Sequence, residues 1–339
     1  MILNENIFLT LTEIAFHFID VISIILPVLL SVAFMTIIER KQLAAHQRRV
    51  GPNYVGYYGI LQPFADALKL IVKESVIPSQ ANKVLFIIAP VSSLVFSILG
   101  WAVIPFGQGL GVIDFSLSIL YTLALSSLGV YGILFSGWAA NSKYAFLGSL
   151  RSTASMISYE LVLSSAVFIL VILTNSLNYI DMAEHQQSVW HILLVLPVFI
   201  LYFISILAET SRTPFDLQEA ESELVGGFFT EHSSVPFVFF FLAEYSSIVL
   251  FSCITAFFFL GGFHNVELIV NDSFINLQSI ILGLKTCIFC FLFVWMRATL
   301  PRMRFDALIK LCWGSLLPFC FAFISLIPCL IMTFDIGIH

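Results

Sequence analysis

Four ionisable residues lie within or at the end of long apolar stretches of the sequence: Glu160, Glu209, Glu244 and Lys285. A charged group at the centre of a bilayer costs about 2.5–3.5 kcal/mol, so such residues usually face the interior of a helix bundle or a water-filled cavity. Desolvation also raises the proton affinity of a carboxylate towards neutral pH. We therefore predict that the three glutamates form a path for protons or charge. A buried ion pair, for instance between Lys285 and one of the glutamates, is the alternative.

A second group of acids lies in the segment 209–235, where six acidic residues accompany one basic residue, Arg212. The acids are Glu209, Asp216, Glu219, Glu221, Glu223 and Glu231. Three of them, Asp216, Glu219 and Glu223, fall on one helical face, where like charges raise one another's proton affinity. The segment is therefore a candidate for proton exchange, and a solvated acidic loop is the alternative.

The histidines and cysteines do not form a recognisable cofactor site. The seven histidines are scattered, and the six cysteines lie in or beside apolar segments of the last third of the chain. Cys287 and Cys290 form a C-x-x-C pair without a second pair, so we expect the cysteines to be small buried residues. We expect no bound metal or flavin, and the sequence contains no P-loop or G-x-G-x-x-G motif. A proton path would then be driven by a neighbouring subunit, an ion gradient or a lipid-soluble redox molecule.

The composition places these residues in an integral membrane protein. Of the 339 residues, 59% are apolar and 11% are charged, and the mean hydropathy is +1.00. A soluble protein of this size could not bury so much apolar surface. The net charge of −6 also excludes a nucleic-acid partner, because no basic face is available to neutralise phosphates.

Apolar runs of about 20 residues recur along the chain, the length that crosses a bilayer as a helix. We predict an all-α bundle of about eight transmembrane helices in a single domain, residues 1–339, and we expect the first span to be retained, not cleaved as a signal peptide. The predicted spans are approximately Ile14–Ile38, Val84–Pro105, Leu117–Trp138, Ser155–Thr174, Trp190–Ala208, Pro236–Gly261, Leu277–Met296 and Trp313–Phe334.

The basic residues support this count. With eight spans, 14 of the 15 Lys and Arg residues lie in loops on one side of the membrane, and Lys285 is the exception. The first of these loops, residues 39–83, contains Phe64, Leu68, Ile71 and Val72 at helical spacing after Pro63. This pattern predicts an amphipathic helix on the membrane surface, for which a simple anchoring role is the alternative.

Several loop motifs together carry a resemblance to a known family. The motifs are Glu39-Arg40-Lys41, Arg49-x-Gly51-Pro52-Asn53, Gln62-Pro63-Phe64-Ala65-Asp66, Ser136-Gly137-Trp138-Ala139, Ile157-Ser158-Tyr159-Glu160, Ala208-Glu209-Thr210-x-Arg212-Thr213-Pro214-Phe215-Asp216-Leu217-x-Glu219-x-Glu221-x-Glu223-Leu224-Val225, Ala243-Glu244-Tyr245 and Pro301-Arg302-x-Arg304-x-Asp306. In order and spacing they closely resemble subunit 1 of NADH–ubiquinone oxidoreductase, respiratory complex I, a family that includes the bacterial H-type subunit. The resemblance covers essentially the whole chain.

The resemblance implies a role in a larger enzyme. Members of this family help build a chamber in which ubiquinone reaches an iron–sulfur cluster held by a neighbouring subunit, and they couple quinone reduction to proton pumping. The residues that would line the chamber are Arg40, Arg49, Asp66, Arg212, Asp216, Glu219, Glu221, Glu223 and Arg297. The onward path for protons or charge would use Glu160, Glu209 and Glu244.

The resemblance also implies the partners and the location of the chain. Ubiquinone would be the substrate, and the partners would be membrane lipids, the iron–sulfur subunits of the quinone module and the other membrane-arm subunits. The expected location is the mitochondrial inner membrane, with the basic loops on the matrix side, and a bacterial plasma membrane is the alternative. Two positions depart from the family pattern, since Ser211 replaces the usual Asn and His232 the usual Tyr. If His232 lined the chamber, it would add a group that titrates near pH 6.5, at about the ordinary pKa of His.

Three other functions stay open on the sequence. A stand-alone ion transporter should show inverted repeats and broken spans, and the sequence gives no sign of either. The membrane subunit of a related proton-pumping hydrogenase would share some of the same loops. A purely structural anchor for a soluble enzyme would leave the intramembrane acids without a purpose.

Overall fold

A computed structural model of the chain describes residues 2–216, 226–264 and 278–334, which are helical with short connections. The helices are α1 (Ile2–His46), α2 (Gln62–Val72), α3 (Lys83–Leu99), α4 (Ser118–Ala140), α5 (Lys143–Thr174), α6 (Tyr179–His185), α7 (His191–Leu194), α8 (Leu196–Glu209), α9 (Val235–Leu260), α10 (Gln278–Thr299), α11 (Phe305–Leu311) and α12 (Leu317–Phe334). A π-helical turn, Cys312–Leu316, joins α11 to α12. No strand occurs in these three ranges.

Seven segments in the described part of the chain are long and apolar enough to cross a membrane. They are His17–His46, Lys83–Val103, Ser118–Ala140, Lys143–Thr174, Val235–Leu260, Gln278–Thr299 and Phe305–Thr333. In a bilayer, a helix satisfies all backbone hydrogen bonds within its own segment, which is why uninterrupted apolar runs adopt this form. The prediction of an all-α membrane protein is confirmed.

The predicted fifth span, Trp190–Ala208, is interrupted. It consists of the single turn α7 and the 14-residue helix α8, separated at Val195, whose φ and ψ are −127° and 48°. Pro197 follows two residues later, in the first turn of α8, where its missing N–H removes no hydrogen bond within the helix. The expectation that no span is broken is therefore wrong. At 1.5 Å per residue, α8 is about 21 Å long, shorter than the hydrocarbon layer.

Contacts between loops show that successive spans run in alternate directions. The short helix α8 counts as one of these spans. At one end, the Asn82 amide donates to the Ala139 carbonyl (3.0 Å), and the Ser234 hydroxyl donates to the Lys73 carbonyl (2.6 Å). At the other end, the Ile119 amide donates to the Leu177 carbonyl (3.2 Å). The loops rich in Lys and Arg all meet at the first of these ends, which we call the basic end.

The amphipathic helix predicted after Pro63 is α2. Its apolar residues are not covered by the rest of the chain, because Leu68 is 63% exposed and Ile71 is 60% exposed. A helix with one apolar and one charged face gains stability when the apolar face contacts lipid or another protein. The helix therefore offers an apolar surface at the basic end, beside the C-terminal turns of α1.

The core is built around α8 and α9, which are packed against their neighbours over most of their length. Tyr202 of α8 lies against Phe258 and Phe259 of α9, with ring centroids 5.5 and 5.2 Å away. Helices α3 and α4 approach closely at Gly132, where a Cβ atom would lie 2.9 Å from the Cβ atom of Ser93. Small residues at such crossings let helix backbones come together inside a membrane. These helices position the acids described next.

Candidate functional site

Five side chains from four parts of the chain meet in a buried ionic group at the basic end. They are Glu39 of α1, Arg212 after α8, Glu244 and Tyr245 of α9 and Arg297 of α10, and we call them the arginine cluster. Arg212 pairs with Glu39 through Nη1 and Oε1 (3.1 Å) and with Glu244 through Nε and Oε1 (2.9 Å). Glu39 also accepts hydrogen bonds from Arg297 and from the Tyr245 hydroxyl.

The charges of the arginine cluster balance, because two guanidinium groups face two carboxylates. Arg212 is only 6% exposed, and its guanidinium also lies over the Tyr245 ring, 4.5 Å from the ring centroid. Burial opposes the charge on Arg212, but the neighbouring Glu244 and Glu39 carboxylates raise its pKa above its ordinary value. Arg212 therefore stays a fixed positive charge that holds α1, α9 and the loop after α8 together.

Sequence reasoning selected Arg40 and did not include Glu39, the residue that enters the cluster. Glu39 continues the buried face of α1, since Val28, Val32 and Met35 are buried at helical spacing before it. Both faces of α1 are apolar, so the signal available in the sequence was Glu39 itself, an acid at the end of an apolar run. Arg40 points away from the cluster and pairs with Asp66 of α2 (2.7 Å) on an exposed surface.

A cavity of about 110 Å³ lies between α3, α4, α8 and α9, and both Glu209 and Glu244 line it. Hydroxyl side chains also line the cavity: Ser93, Ser97, Thr122, Ser126 and Ser247. The Glu209 side chain is buried, and its Oε2 atom has no hydrogen-bond partner among the described residues. A cavity with several polar groups and this much room can hold water, which would satisfy that atom. We call it the acid cavity.

Glu160 lies beside the acid cavity and does not line it. Its carboxylate accepts a hydrogen bond from the Ser127 hydroxyl of α4, and it interacts electrostatically with Glu209. The three acids predicted from the sequence thus have different surroundings. Glu244 is ion-paired and faces the cavity, Glu209 faces the cavity, and Glu160 is hydrogen-bonded next to it.

The other predicted chamber residues lie outside the arginine cluster. Asp216 pairs with Arg302 (3.0 Å), and Arg49 is bound to Gln47 (2.6 Å) on an exposed turn. Glu219, Glu221 and Glu223 lie outside the described residues, so their predicted common helical face stays a prediction. Arg302, quoted only as part of a motif, is a further charged residue that sequence reasoning did not place in the site.

Lys285 has partners other than the glutamate that the sequence suggested as an alternative. Its ammonium donates to three backbone carbonyls, those of Leu260 (2.7 Å), Gly262 (2.8 Å) and His264 (2.6 Å). These carbonyls lie at and just beyond the C-terminus of α9, where the last carbonyls of a helix have no partner within the helix. Lys285 is therefore a buried helix cap, and the ion-pair alternative is wrong for it within the described residues.

The two departures from the family pattern also have structural explanations. His232 is buried and stacks on Phe86, with ring centroids 4.1 Å apart, and burial lowers the pKa of His232 to about 4. The prediction of a group titrating near pH 6.5 is therefore wrong, because this imidazole is neutral at physiological pH. Ser211 lines the acid cavity in a left-handed conformation (φ 51°), which Asn also adopts readily.

The cysteines are not uniformly buried as expected. Cys253, Cys312 and Cys320 are buried, Cys290 is partly buried, and Cys287 and Cys329 are exposed on apolar helices. The expectation of burial is wrong for the last two, because a helix face towards lipid is as apolar as one towards the core. No group of three or more possible metal ligands occurs within the described ranges.

Comparisons with known proteins match almost the whole chain. The family model described as NADH dehydrogenase matches residues 19–328. The NADH-ubiquinone oxidoreductase chain 1 of Mycosarcoma maydis is 62% identical over 327 residues, which cover 96% of this chain and 99% of that protein. The chain 1 protein of Yarrowia lipolytica is 45% identical, covering 94% and 97%. A bacterial relative, an NADH-quinone oxidoreductase subunit of Rhodospirillum centenum, is 48% identical, covering 93% and 94%.

Proposed function

The chain belongs to the NADH dehydrogenase family, as a membrane subunit of an NADH–quinone oxidoreductase, and from that premise we propose that it couples ubiquinone reduction to proton translocation. In this proposal, its basic end forms part of the chamber that receives ubiquinone, and its buried acids respond to the redox change. Reduction of a quinone to a quinol consumes two electrons and two protons. The electrons come from an iron–sulfur cluster in a neighbouring subunit, and this chain supplies charged and proton-exchanging side chains.

The chamber would lie where α1, α2 and the segment 209–235 meet. A quinone has an apolar tail and a polar head, so its site should combine apolar walls with a few polar groups. The exposed apolar face of α2 and the Arg40–Asp66 pair beside it provide both. Asp216 with its Arg302 partner would contribute further charges, and we extend the same role to Arg49, Arg212, Arg297, Glu219, Glu221 and Glu223. The natural location would be the mitochondrial inner membrane, with the basic end facing the matrix and the iron–sulfur subunits.

The acid cavity is the observation that carries the coupling part of the proposal. Glu244 takes part in both the arginine cluster and the cavity, so a change of charge near its partner Arg212 changes its surroundings directly. Glu209 faces the same cavity without a basic partner among the described residues and interacts with Glu160. A proton could thus be exchanged between water in the cavity and Glu209 when the charge balance at the basic end changes.

Neutral replacement of the cavity acids tests this proposal. We expect Glu209→Gln and Glu244→Gln, in the assembled enzyme, to lower both ubiquinone reduction and proton pumping, with NADH oxidation by an artificial acceptor retained. Asp181→Asn, at an exposed acid on α6, is the matched control and should leave all three activities unchanged. Normal pumping by both Gln variants would contradict the proposal. Equal loss of all three activities would indicate damaged assembly, which the amount of intact enzyme on a native gel would reveal.

The chamber part has a separate test. We expect Arg49→Ala and Glu223→Gln to impair ubiquinone reduction while artificial-acceptor activity persists.

One observation favours the ion-transporter alternative, since the interrupted span α7–α8 resembles the discontinuous helices of transporters. It requires the isolated chain to move ions in vesicles, whereas our proposal expects no transport without the partner subunits.

A further inference from the structure

Two separate cavities approach each other along one face of α4. The acid cavity reaches Thr122. A second cavity of about 260 Å³, at the end of the bundle opposite the basic end, reaches Ser118 and is also lined by Asp114 and Asn178. Ser118 and Thr122 are four residues apart on the helix, so their side chains share a face and are separated by about 6 Å along the axis. One helical turn therefore separates a cavity lined by acids from a cavity lined by exposed loop residues.

Tyr179 lies beside this gap and contacts one lining residue of each cavity. It is fully buried, and its hydroxyl lies 2.6 Å from the Thr122 hydroxyl. Its backbone amide donates to the Ser118 hydroxyl (3.1 Å). Thr122 donates its own proton to the Ile119 carbonyl (2.9 Å), so Tyr179 is the donor in the hydroxyl pair. Tyr179 is thus fixed by hydrogen bonds to a residue that lines each cavity.

The surroundings of the Tyr179 ring are dry. Phe257 and Phe258 of α9 lie against it, with ring centroids 5.6 and 5.7 Å away, and Ile119 and Met182 nearby in the chain are almost fully buried. Burial raises the pKa of the Tyr179 phenol above its ordinary value, so it stays protonated at physiological pH. The ring is therefore suited to exclude water from the gap, and its volume matters more than its hydroxyl.

We propose that Tyr179 is a seal that keeps the acid cavity closed towards the end of the bundle opposite the basic end. The inference rests on the proposed function, in which the acid cavity exchanges protons with the basic end. A cavity open at both ends would let protons flow back across the membrane and would dissipate the gradient that the enzyme builds. The seal prevents that leak without taking part in quinone reduction.

The test is passive proton permeability of the assembled enzyme in liposomes, without NADH or quinone. A pH step is imposed across the vesicles, with valinomycin and K⁺ on both sides to compensate charge, and a trapped pH dye reports its decay. We expect the decay to be several-fold faster for Tyr179→Ala than for the wild type. Tyr179→Phe retains the ring and should stay as tight as the wild type. Phe289→Ala truncates a buried aromatic side chain elsewhere in the core, packed against Phe199, and should also stay tight.

The proposal would be overturned if the pH step decayed as slowly for Tyr179→Ala as for the wild type. It would also be overturned if Phe289→Ala leaked protons as fast as Tyr179→Ala. If the Ala variant does not assemble, Tyr179→Leu keeps apolar contact with Phe257 and Phe258 but does not reach Thr122, and the same criterion applies to it. NADH–quinone turnover of the leaky variant should continue with little net acidification, because electron transfer does not use Tyr179. Failure of the proposed function would appear separately, as normal pumping in both Glu209→Gln and Glu244→Gln.

Discussion

At the scale of single residues, the two acids of the cavity differ in what they can do. Glu244 is held by Arg212, whereas Glu209 faces the cavity with an oxygen that no described residue satisfies. The ion pair fixes the position of the Glu244 carboxylate, whereas the unsatisfied Glu209 oxygen can bind water in the cavity. This contrast assigns a positioning role to Glu244 and a proton-exchanging role to Glu209 within the proposed mechanism.

The buried position of Arg212 predicts a large loss of stability when its charge is removed. Arg212→Gln leaves Glu39 and Glu244 without their shared partner, and breaking a buried pair in this way costs about 3–5 kcal/mol. The exposed Arg40–Asp66 pair is the matched control, since Arg40→Gln should cost only about 0.2–1 kcal/mol. Thermal denaturation of the assembled enzyme measures both. Similar effects for the two variants would contradict the structure of the arginine cluster.

Burial of His232 predicts a pH dependence of stability. Its pKa is about 4 in the folded chain and about 6.5 when unfolded, so between these values the unfolded chain binds the extra proton. Stability is therefore lost as pH falls from about 6.5 to about 4, by up to about 3 kcal/mol from this group. We expect His232→Phe to lose less stability than the wild type between pH 7 and pH 5. His46→Phe, at an exposed position, should behave as the wild type does.

At the scale of helices, the packing of α3 against α4 depends on a glycine. A Cβ atom at Gly132 would lie 2.9 Å from the Cβ atom of Ser93, whereas one at Gly129 meets nothing within 4 Å. We expect Gly132→Ala to push the two helices apart and to lower the denaturation temperature of the assembled enzyme. Gly129→Ala should be neutral or slightly stabilising, because Ala favours a helix by about 1 kcal/mol over Gly. A lower denaturation temperature for Gly129→Ala than for Gly132→Ala would show that α3 and α4 pack differently.

The existence and order of the long apolar helices could be predicted from the sequence, whereas their ends and their orientation could not. The helix α5, for instance, begins at Lys143 and not near Ser155. Apolar runs and the positions of Lys and Arg identified the seven long spans. In a membrane, however, the lipid face is as apolar as the core face, so the hydrophobic pattern of α5 does not show which side is buried. Only a polar residue within the apolar run shows which side of the helix is buried, as Glu39 does on α1. Pro197 alone did not predict the break at Val195, because Pro27, Pro90 and Pro328 lie inside continuous helices. The three carbonyls that bind Lys285 also leave no trace in the sequence.

At the scale of the whole molecule, the basic end should face a single compartment. Lys143, the first residue of α5, and Gln108, in the loop before α4, are exposed at opposite ends of the bundle. In inner-membrane vesicles of known orientation, we expect Lys143→Cys to react with a membrane-impermeant thiol reagent from the matrix side only. Gln108→Cys should react from the other side only, and the unsubstituted enzyme gives the background from its native cysteines. Labelling of both from one side would contradict the alternation of the spans.

The arginine cluster has one more property that matters in an energised membrane. With both carboxylates ionised, its two positive and two negative charges sum to zero, so a transmembrane voltage exerts no net force on it. A proton arriving at Glu209 adds one elementary charge, which is worth about 2.3 kcal/mol per 100 mV across the full membrane. A transmembrane voltage would therefore oppose or assist protonation of Glu209, and it would leave the helices around Arg212 in place.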